Sequence, residues 1–352
     1  MYQFQWPTRT VYGAGLSEQI GEYLRPHGES SCLLLVAPGE AWVGEVLDRL
    51  ESSLKSADWR RLERFNEIEP NPSWQTVSRG RDRLLAAKAD AVLAVGGGST
   101  MDAAKIIAQA GGIHELCMVP TTAGTGSEIS PWAVVTNLEH REKESVIARW
   151  PDLALLDPLL TLTMPPRTTL FSGIDAFIHG LEAYCSNDSN PITDALSLAG
   201  MRLAKANLPR VMEDPQDLQA RGNMLQASLL TGAAMMHAGL GLMHAIGNVV
   251  GGLEHNLPHG LILAQCMDVV LEFNRPSIGS RLPAIEDLLE ELRVEIQSRI
   301  EQMQIGRAKV SKADLELLVE RAVVNVNAKT NPRTAGKPDI RQLVGRAFEV
   351  RD

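Results

Sequence analysis

The chain has 352 residues, of which 44% are hydrophobic and 22% are charged, and its formal net charge is −9 at pH 7. A chain of this length and composition can bury a large core in roughly two domains, which excludes a mainly disordered protein. The acidic balance argues against nucleic acid as a partner, because phosphate backbones are bound by a basic face.

The first half of the chain alternates short apolar runs with amphipathic helical runs. The predicted strands are residues 31–37, 59–65, 91–95, 116–119 and 153–156. The predicted helices are residues 42–54, 74–88 and 101–110. Apolar strands without polar alternation, separated by helices, are typical of a parallel sheet that is covered on both faces.

The second half changes character, because the pattern is helical from about Pro165 almost to the end. We place the domain boundary within 158–166, so that residues 1–162 form an α/β domain and residues 163–352 an all-α domain. Residues 285–324 are rich in Glu, Arg and Leu. That composition predicts a solvated pair of amphipathic helices rather than a partner-binding surface.

The termini, the hydropathy and the cysteines bear on location. No positive region followed by an apolar run begins the chain, and no apolar stretch is long enough to span a membrane, so neither a signal peptide nor a membrane partner is expected. The four cysteines form no C-x-x-C pair, and they predict free thiols in a reducing compartment, the cytoplasm. They are Cys32, Cys117, Cys185 and Cys266.

Three consecutive glycines, Gly96, Gly97 and Gly98, follow a predicted strand and precede a predicted helix. Without side chains, their backbone N–H groups can approach a phosphate closely, and the helix N-terminus adds positive potential. The segment lacks the usual G-x-G-x-x-G fingerprint, so a tight turn without a ligand is the alternative.

A hydroxyl-rich loop, PTTAGTGSE, occupies residues 120–128 after the next predicted strand. In open α/β sheets, ligands bind at the carboxyl ends of the strands. Helix capping accounts for one or two of these hydroxyls but not for the whole run. The loop is therefore a second candidate ligand site.

A possible metal constellation begins with Asp175 and His179, which are four residues apart and would share one face of a helix. Alone, such a pair is commonly a capping or core hydrogen bond. Downstream, three of the eight histidines, His244, His255 and His259, fall within sixteen residues. One carboxylate with two or three imidazoles suits a catalytic Fe²⁺ or Zn²⁺ ion that keeps one position open for substrate.

These motifs together resemble the iron-containing (group III) alcohol dehydrogenases, whose relatives include glycerol dehydrogenase and maleylacetate reductase. The matching segments are, in chain order, GGGSTMDAAK (96–105), PTTAGTGSE (120–128), DPLLTLTMPP (157–166), GIDAFIHGLEAY (173–184), AGLGLMHAIG (238–247), LPHG (257–260) and TNPR (330–333). The resemblance covers most of the chain. It implies a Rossmann-like α/β dinucleotide-binding domain, an all-α domain, a dehydroquinate synthase-like architecture and a metal in the cleft between the domains.

The resemblance also implies roles for individual residues. The implied metal ligands are Asp175, His179, His244 and His259. The implied cofactor contacts are Asn71, Gly97, Gly98, Ser99, Asp102, Thr121, Thr122 and Lys143. The implied reaction is hydride transfer between the nicotinamide C4 and a small alcohol or aldehyde polarised by Fe²⁺ or Zn²⁺, in a homodimer.

The sequence departs from the family pattern beside the predicted metal ligands. Asn248 stands where many relatives carry a proton-relay histidine, and an amide cannot act as a general base. His255 is the candidate substitute for the relay histidine. The alternatives are that ribose hydroxyls and water carry the proton, or that His255 is simply a surface residue. His244 and His259 are fifteen residues apart, one more than is usual in the family.

Two further departures concern the coenzyme and the helical domain. Many NAD-preferring members of the family carry the sequence D-P-G after the first strand, whereas this chain has Ala37-Pro38-Gly39 there. Losing that carboxylate removes repulsion toward a 2′-phosphate, which favours NADP(H) over NAD(H). The region 274–292 is shortened relative to longer relatives, which trims the helical domain.

The substrate is not evident from the sequence. Small aliphatic alcohols and aldehydes are the family default, and Arg149, near His140, Trp132 and Trp150, is a candidate for recognising an acidic aldehyde unless it is simply solvated. Two other functions stay open: a dehydroquinate synthase-like cyclase, which would show no net NAD(P)H turnover, and a non-catalytic family member, which would bind neither coenzyme.

Overall fold

In the computed structural model, which describes residues 2–27, 30–40, 42–254 and 256–351, the chain divides into two units. The α/β unit comprises Gln5–Thr122 and Gly126–Met164. The helical unit comprises Pro165 onward, together with Ala123–Thr125 and the N-terminal residues up to Phe4.

A six-stranded parallel sheet forms the centre of the α/β unit. The strands and the helices between them are, in chain order, β1 (Arg9–Tyr12), α1 (Ile20–Tyr23), β2 (Cys32–Pro38), α2 (Val43–Ser56), β3 (Arg61–Ile68), α3 (Trp74–Ala87), β4 (Ala91–Gly96), α4 (Gly98–Ala108), β5 (Glu115–Pro120), β6 (Trp132–Asn137), β7 (Glu142–Ile147) and β8 (Leu153–Leu156). The sheet order is β1-β8-β5-β4-β2-β3, and β6 and β7 form a separate antiparallel hairpin. The strand order reverses between β4 and β2, so this pair of carboxyl ends is the topological switch point at which ligands bind in such sheets.

The sheet is buried on both faces, as its apolar strands predict. Leu33 and Leu35 of β2 pack in one core cluster with residues of α2, whereas Leu34 and Val36 pack in a second cluster with residues of α3 and α4. Successive side chains of a strand point to opposite faces, so a strand covered on both sides must be apolar throughout. The predicted doubly covered parallel sheet is confirmed.

The structure differs from the sequence prediction at several elements of this unit. Strand β1 and the β6–β7 hairpin were not predicted, because β1 and β7 have no fully buried residue and only half of β6 is fully buried. Strand β3 is displaced to Arg61–Ile68 because Arg61 pairs with Cys32 at the start of β2. Helix α4 begins at Gly98 rather than at residue 101. Glycine and hydroxyl residues are tolerated there because first-turn N–H groups have no intrahelical partner.

The helical unit is built from eight helices and one short two-stranded ribbon among its described residues. In chain order they are α5 (Pro166–Cys185), α6 (Pro191–Glu213), α7 (Leu218–Ala238), α8 (Leu242–Leu253), α9 (His259–Asn274), α10 (Leu282–Gln302), β9 (Lys309–Ser311), α11 (Leu315–Val324), α12 (Lys337–Ala347) and β10 (Glu349–Arg351). Most of α5 is buried, which makes it the central helix of the unit. The predicted pair over 285–324 corresponds to α10 and α11, but β9 lies between them and pairs with β10.

Among the described residues, no single helix is long and apolar enough to span a bilayer. Helices α7 and α8 reach that length and hydropathy only when taken together, across a bend of 101°.

Candidate functional site

Four polar side chains of the helical unit converge within its core. Asp175 and His179 lie one turn apart on α5, His244 lies in the first turn of α8, and His259 is the first residue of α9. The Nε2 atoms of His179 and His244 each lie 3.4 Å from Asp175 Oδ1, and that of His259 lies 3.9 Å from it. Ligand atoms of Asp175, His244 and His259 all lie within 4.8 Å of one another, and the His179 ring stacks on that of His244.

This cluster fits a divalent metal ion. Among the described residues, the buried atoms Asp175 Oδ1 and His244 Nε2 have no hydrogen-bond partner. Buried polar atoms without a partner destabilise a fold by about 1–3 kcal/mol each, so they mark a place where another group belongs. One carboxylate and three imidazoles form a donor set that Fe²⁺ and Zn²⁺ both accept.

The charges of the cluster suit a cation as well. Burial by itself would raise the pKa of Asp175, but the imidazoles, that of His179 foremost, hold it below its ordinary value. Burial lowers the pKa of His179, which favours the neutral form that binds metals. Burial opposes a proton on His244, but the carboxylates of Asp175 and Glu182 outweigh it and raise the pKa of His244 to about 9, so a metal ion that binds this ring must displace a proton from it.

Backbone contacts fix the orientation of His179. Its Nδ1 donates to the carbonyl oxygen of Gly124 at 3.1 Å, which leaves the Nε2 lone pair directed toward Asp175. Gly124 packs against α5, because a Cβ atom there would lie 2.8 Å from the Cβ of Ser172. The middle of the threonine-rich loop thus belongs to the helical unit and supports a predicted metal ligand.

His259 owes its position to the glycine that follows it. A Cβ atom on Gly260 would lie 2.7 Å from the carbonyl carbon of Phe171, so only glycine lets the start of α9 touch α5 there. Phe171 lies four residues before Asp175 on the same helix. This contact therefore brings the His259 ring to the turn of α5 that carries Asp175.

Glu182, which was not singled out from the sequence, joins the cluster from the same helix. It lies three residues after His179 on α5, is 4% exposed, and accepts from His244 Nδ1 at 2.6 Å. Its placement among apolar residues in GLEAY was the available signal, because buried carboxylates are rare without a partner. Asn248 lies one turn after His244 on α8, and His255 lies outside the described residues.

The glycine-rich segment of the α/β unit gathers several predicted cofactor residues. Gly97 is the N-cap of α4, and Gly98 and Ser99 form its first turn at the switch point of the sheet. The backbone N–H of Asn71 donates to Ser99 Oγ at 3.1 Å. A Cβ atom on Gly97 would lie 3.1 Å from the Oγ1 of Thr122. This arrangement can present backbone donors to a phosphate at the helix N-terminus.

The other predicted cofactor residues lie on neighbouring elements. Thr121 is buried, and its N–H donates to the carbonyl of Gly96 at 2.9 Å. Lys143 lies on β7, where it pairs in register with Thr136. The Thr136 hydroxyl donates to the carbonyl of Asn71 at 3.0 Å, which ties the hairpin to the Asn71 turn.

Asp102 is engaged in a buried polar network within the α/β unit. It accepts from Ser127 Oγ at 2.6 Å and from the Val134 N–H at 2.9 Å, and its carboxylate lies 3.0 Å from Nζ of the fully buried Lys105. Lys105 also donates to Ser127 Oγ at 2.7 Å. These contacts join α4 to β6, so Asp102 has a structural role besides its predicted place near the cofactor.

Arg149 is held by groups of the α/β unit. Its guanidinium donates to Asp152 at 2.9 Å and, more distantly, to the carbonyl oxygens of Ile113 and His114. Since the carboxylate of Asp152 already balances the charge of Arg149, this ion pair weighs against recognition of an anionic substrate by Arg149. Trp132 and the exposed His140 lie on the β6–β7 hairpin, and Trp150 follows it.

Glu128, at the end of the threonine-rich loop, gives a testable pH dependence. It is 2% exposed, and burial raises its pKa from 4.5 to about 7 although the charge of Lys105 opposes the rise. The folded state then keeps a proton that the unfolded chain releases, so the contribution of Glu128 to stability is most favourable below pH 4.5 and falls as the pH rises to about 7. We expect this group to cost about 3 kcal/mol of unfolding free energy over that interval.

The measurement is urea unfolding of the wild type and of Glu128→Gln at a series of pH values between these limits. The difference between the two unfolding free energies should change by about that amount, with the wild type losing stability relative to the variant as the pH rises. Parallel pH profiles for the two proteins would show that Glu128 ionises normally in the folded state.

Comparison with known proteins bears on both units. The model of the family "Iron-containing alcohol dehydrogenase" matches residues 7–158, and that of "Fe-containing alcohol dehydrogenase family, C-terminal" matches residues 169–348. The 1-propanol dehydrogenase PduQ of Salmonella typhimurium is 33% identical to the chain over 98% of it and 99% of its own length. The NAD-dependent methanol dehydrogenase of Bacillus methanolicus is 30% identical, over 99% of this chain and all of its own.

A solved structure agrees with these matches. The crystal structure of an iron containing alcohol dehydrogenase is similar to this one with a TM-score of 0.89 at 28% identity, over 99% of each chain. The similarities therefore favour the dehydrogenase interpretation over the cyclase and the non-catalytic alternatives.

Proposed function

From the premise that this chain belongs to the iron-containing alcohol dehydrogenase family, we propose that Asp175, His179, His244 and His259 hold its metal ion. The protein is a metal-dependent, nicotinamide-linked alcohol dehydrogenase. The observation that carries the proposal for the metal is the approach of three imidazole nitrogens to within 3.4–3.9 Å of one buried carboxylate oxygen.

The residues of the helical unit prepare this site for a cation. Asp175 supplies the negative charge, and Gly124 and Glu182 hold the rings of His179 and His244 with Nε2 free. Burial of Asp175, His179 and His244 keeps bulk water from them. When bound, the metal ion supplies Lewis-acid polarisation of an alcohol or aldehyde oxygen.

The residues of the α/β unit bind the coenzyme in this proposal. The first-turn N–H groups of α4, at Gly98 and Ser99, receive the pyrophosphate, and Asn71, Thr121, Thr122, Asp102 and Lys143 line the remainder of the site. The bound nicotinamide supplies or accepts the hydride. Since Asn248 cannot act as a general base, His255 or water carries the proton.

NADP(H) is the coenzyme that the end of β2 favours. Ala37 replaces the carboxylate of D-P-G, so nothing negative at that position repels a 2′-phosphate. Removing one like-charge contact of about 1 kcal/mol improves the binding of a 2′-phosphate roughly five-fold relative to a chain that carries Asp at this position. Because Ala37 is fully buried, Ala37→Asp would bury a charge and is not a fair control. Competition between 2′,5′-ADP and ADP isolates the 2′-phosphate instead.

The substrates we propose are short-chain primary alcohols and their aldehydes, with aldehyde reduction as the direction in the cell. The names of the two relatives, a 1-propanol and a methanol dehydrogenase, support this class. The test is a substrate screen from methanol to butanol and the matching aldehydes, with NADP(H) and NAD(H), on protein reconstituted separately with Fe²⁺ or Zn²⁺.

We expect metal-dependent turnover in that screen, a kcat/KM with NADPH at least as high as that with NADH, and competition by 2′,5′-ADP at least as tight as that by ADP. Faster turnover with NADH would contradict the coenzyme proposal alone. A lack of turnover with every short-chain substrate would contradict the substrate class.

The location and assembly that we propose are a reducing compartment, the cytoplasm, and a homodimer. All four cysteines are buried and free, which suits a reducing environment. The homodimer rests on the tendency that the family resemblance implies.

A further inference from the structure

Two buried polar side chains of the helical unit hold the first turn of α8, the turn that carries His244. They are Glu182 on α5, which is 4% exposed, and Asn331 of the TNPR segment, which is 2% exposed. Neither was assigned a role by the sequence motifs. First-turn N–H groups of a helix have no intrahelical partner, so side chains must satisfy them where the helix start is buried.

Glu182 uses both of its carboxylate oxygens at this turn. Oε1 accepts from the backbone N–H of Met243 at 2.7 Å, and Oε2 accepts from Nδ1 of the neighbouring His244 at 2.6 Å. A carboxylate at this end of a helix also interacts favourably with the helix dipole. The same group therefore fixes the backbone of α8 and the ring of His244.

Asn331 holds the residue immediately before. Its Oδ1 accepts from the N–H of Leu242 at 3.2 Å, and its amide group pairs with that of Asn274 at 2.7 and 3.0 Å. The preceding Thr330 hydroxyl donates to the carbonyl of Leu240 at 2.6 Å. Thr330 and Asn331 thus keep the start of α8 in the place where Glu182 can reach it.

The backbone at Gly241 lies close to the carboxylate of Glu182. A Cβ atom on Gly241 would lie 2.7 Å from Glu182 Oε1 and 2.9 Å from Asn331 Oδ1. The backbone entering α8 therefore packs directly on both polar groups. This close packing leaves little room for the Glu182 carboxylate to shift toward α8.

We propose that Glu182 is a positioning residue for metal binding, with Asn331 as its support. By accepting from His244 Nδ1, it keeps the proton on that nitrogen and the lone pair on Nε2, which lies 3.4 Å from Asp175 Oδ1. This inference rests on the proposed metal site and assigns to that site a residue that does not touch the ion.

Glutamine at position 182 separates this role from simple packing, because it has the same shape. If its amide nitrogen faces His244 Nδ1, the imidazole proton moves to Nε2 and blocks the metal-binding lone pair. If the amide is reversed, its nitrogen faces the N–H of Met243. Two buried donors then face each other without an acceptor between them. Either orientation weakens the arrangement that glutamate allows.

The experiment compares metal-free wild type with Glu182→Gln by titrating Co²⁺ and Zn²⁺ against a competing chelator. We expect the variant to bind both ions 10–100-fold more weakly, the size of effect typical when a hydrogen-bond partner of a ligating histidine is removed. The visible absorption spectrum of the Co²⁺ protein should also change, because one imidazole ligand is lost or loosened. Near-UV circular dichroism and thermal unfolding of the metal-free proteins show whether each one is folded.

Asp157→Asn is the matched control. Asp157 is a fully buried carboxylate of the α/β unit that accepts from the N–H groups of Gly15, Ser17 and Leu159. Its loss should lower thermal stability and leave the metal dissociation constants and the Co²⁺ spectrum unchanged.

The outcomes distinguish the role of Glu182 from the proposed metal site on which that role depends. A wild type that binds neither ion contradicts the metal site itself. A wild type that binds, together with a Glu182→Gln protein that matches its affinity within two-fold and its spectrum, overturns the role of Glu182 alone. Where Glu182→Gln does not fold, Glu182→Asp is judged by the same criterion, since its shorter carboxylate cannot reach both donors.

Discussion

Replacing His259 by alanine is expected to remove most of the bound metal and to lower kcat/KM by about 1000-fold or more. The proposed site then keeps three of its four ligands, and the several kcal/mol of transition-state stabilisation that a Lewis acid supplies are lost with the ion. His259 suits this test because its side chain is 28% exposed, whereas those of His179 and His244 are buried in the core. Alanine at the start of α9 should therefore leave the fold intact.

Metal analysis by mass spectrometry and steady-state kinetics check this result. The matched control is His27→Ala, which removes an exposed histidine of the α/β unit and should change neither metal content nor turnover. A His259→Ala protein with full metal content and undiminished activity would contradict the assignment of the site.

Gly260→Ala is expected to weaken metal binding by about ten-fold or more although all four proposed ligands remain. The added methyl group would meet the backbone of Phe171, with the carbonyl carbon 2.7 Å away, and neither backbone can yield without moving α9 relative to α5. Overpacking of this kind typically destabilises a fold by about 1–3 kcal/mol. The displacement acts first on His259, which precedes Gly260 directly.

Chelator-competition titrations and thermal unfolding of the metal-free protein measure the two effects. Gly345→Ala is the matched control, because Gly345 lies within α12 and a Cβ atom there would have no heavy atom within 4 Å. Alanine favours a helix over glycine, so this control should be neutral or slightly more stable. Unchanged metal affinity in Gly260→Ala would show that the contact with Phe171 does not position His259.

The sequence was sufficient to predict the strands that are buried along nearly their whole length. Strands β2, β4 and β8 are apolar along their whole length, and β5 is apolar after Glu115, because the sheet is covered on both faces, and such runs are visible without any tertiary information. By contrast, the β7 strand EKESVI has no fully buried residue. It is a strand because β6 supplies its hydrogen-bond partners, so its own composition gives little sign of it.

The start of α4, in the segment predicted to bind the cofactor, also could not be placed from composition alone. Glycine and hydroxyl residues indicated a loop over residues 96–100, yet the helix begins at Gly98. Propensity is a weak guide in a first turn, where the strand before it and the packing around it decide the backbone. The predicted phosphate-binding role is compatible with this earlier start, because it places Gly98 and Ser99 at the helix N-terminus.

For the metal site, the sequence by itself determined the chemistry of the side chains and one local relation, the placement of Asp175 and His179 on one face of α5. Helical periodicity fixes only neighbours that are a turn apart. Only the tertiary structure decided that His244 and His259 reach the same oxygen, that Gly124 and Glu182 orient the rings, and that Asn331 holds the start of α8. Those contacts join residues distant in the chain, and they exist because α5, α8 and α9 pack closely enough for buried polar groups to satisfy one another.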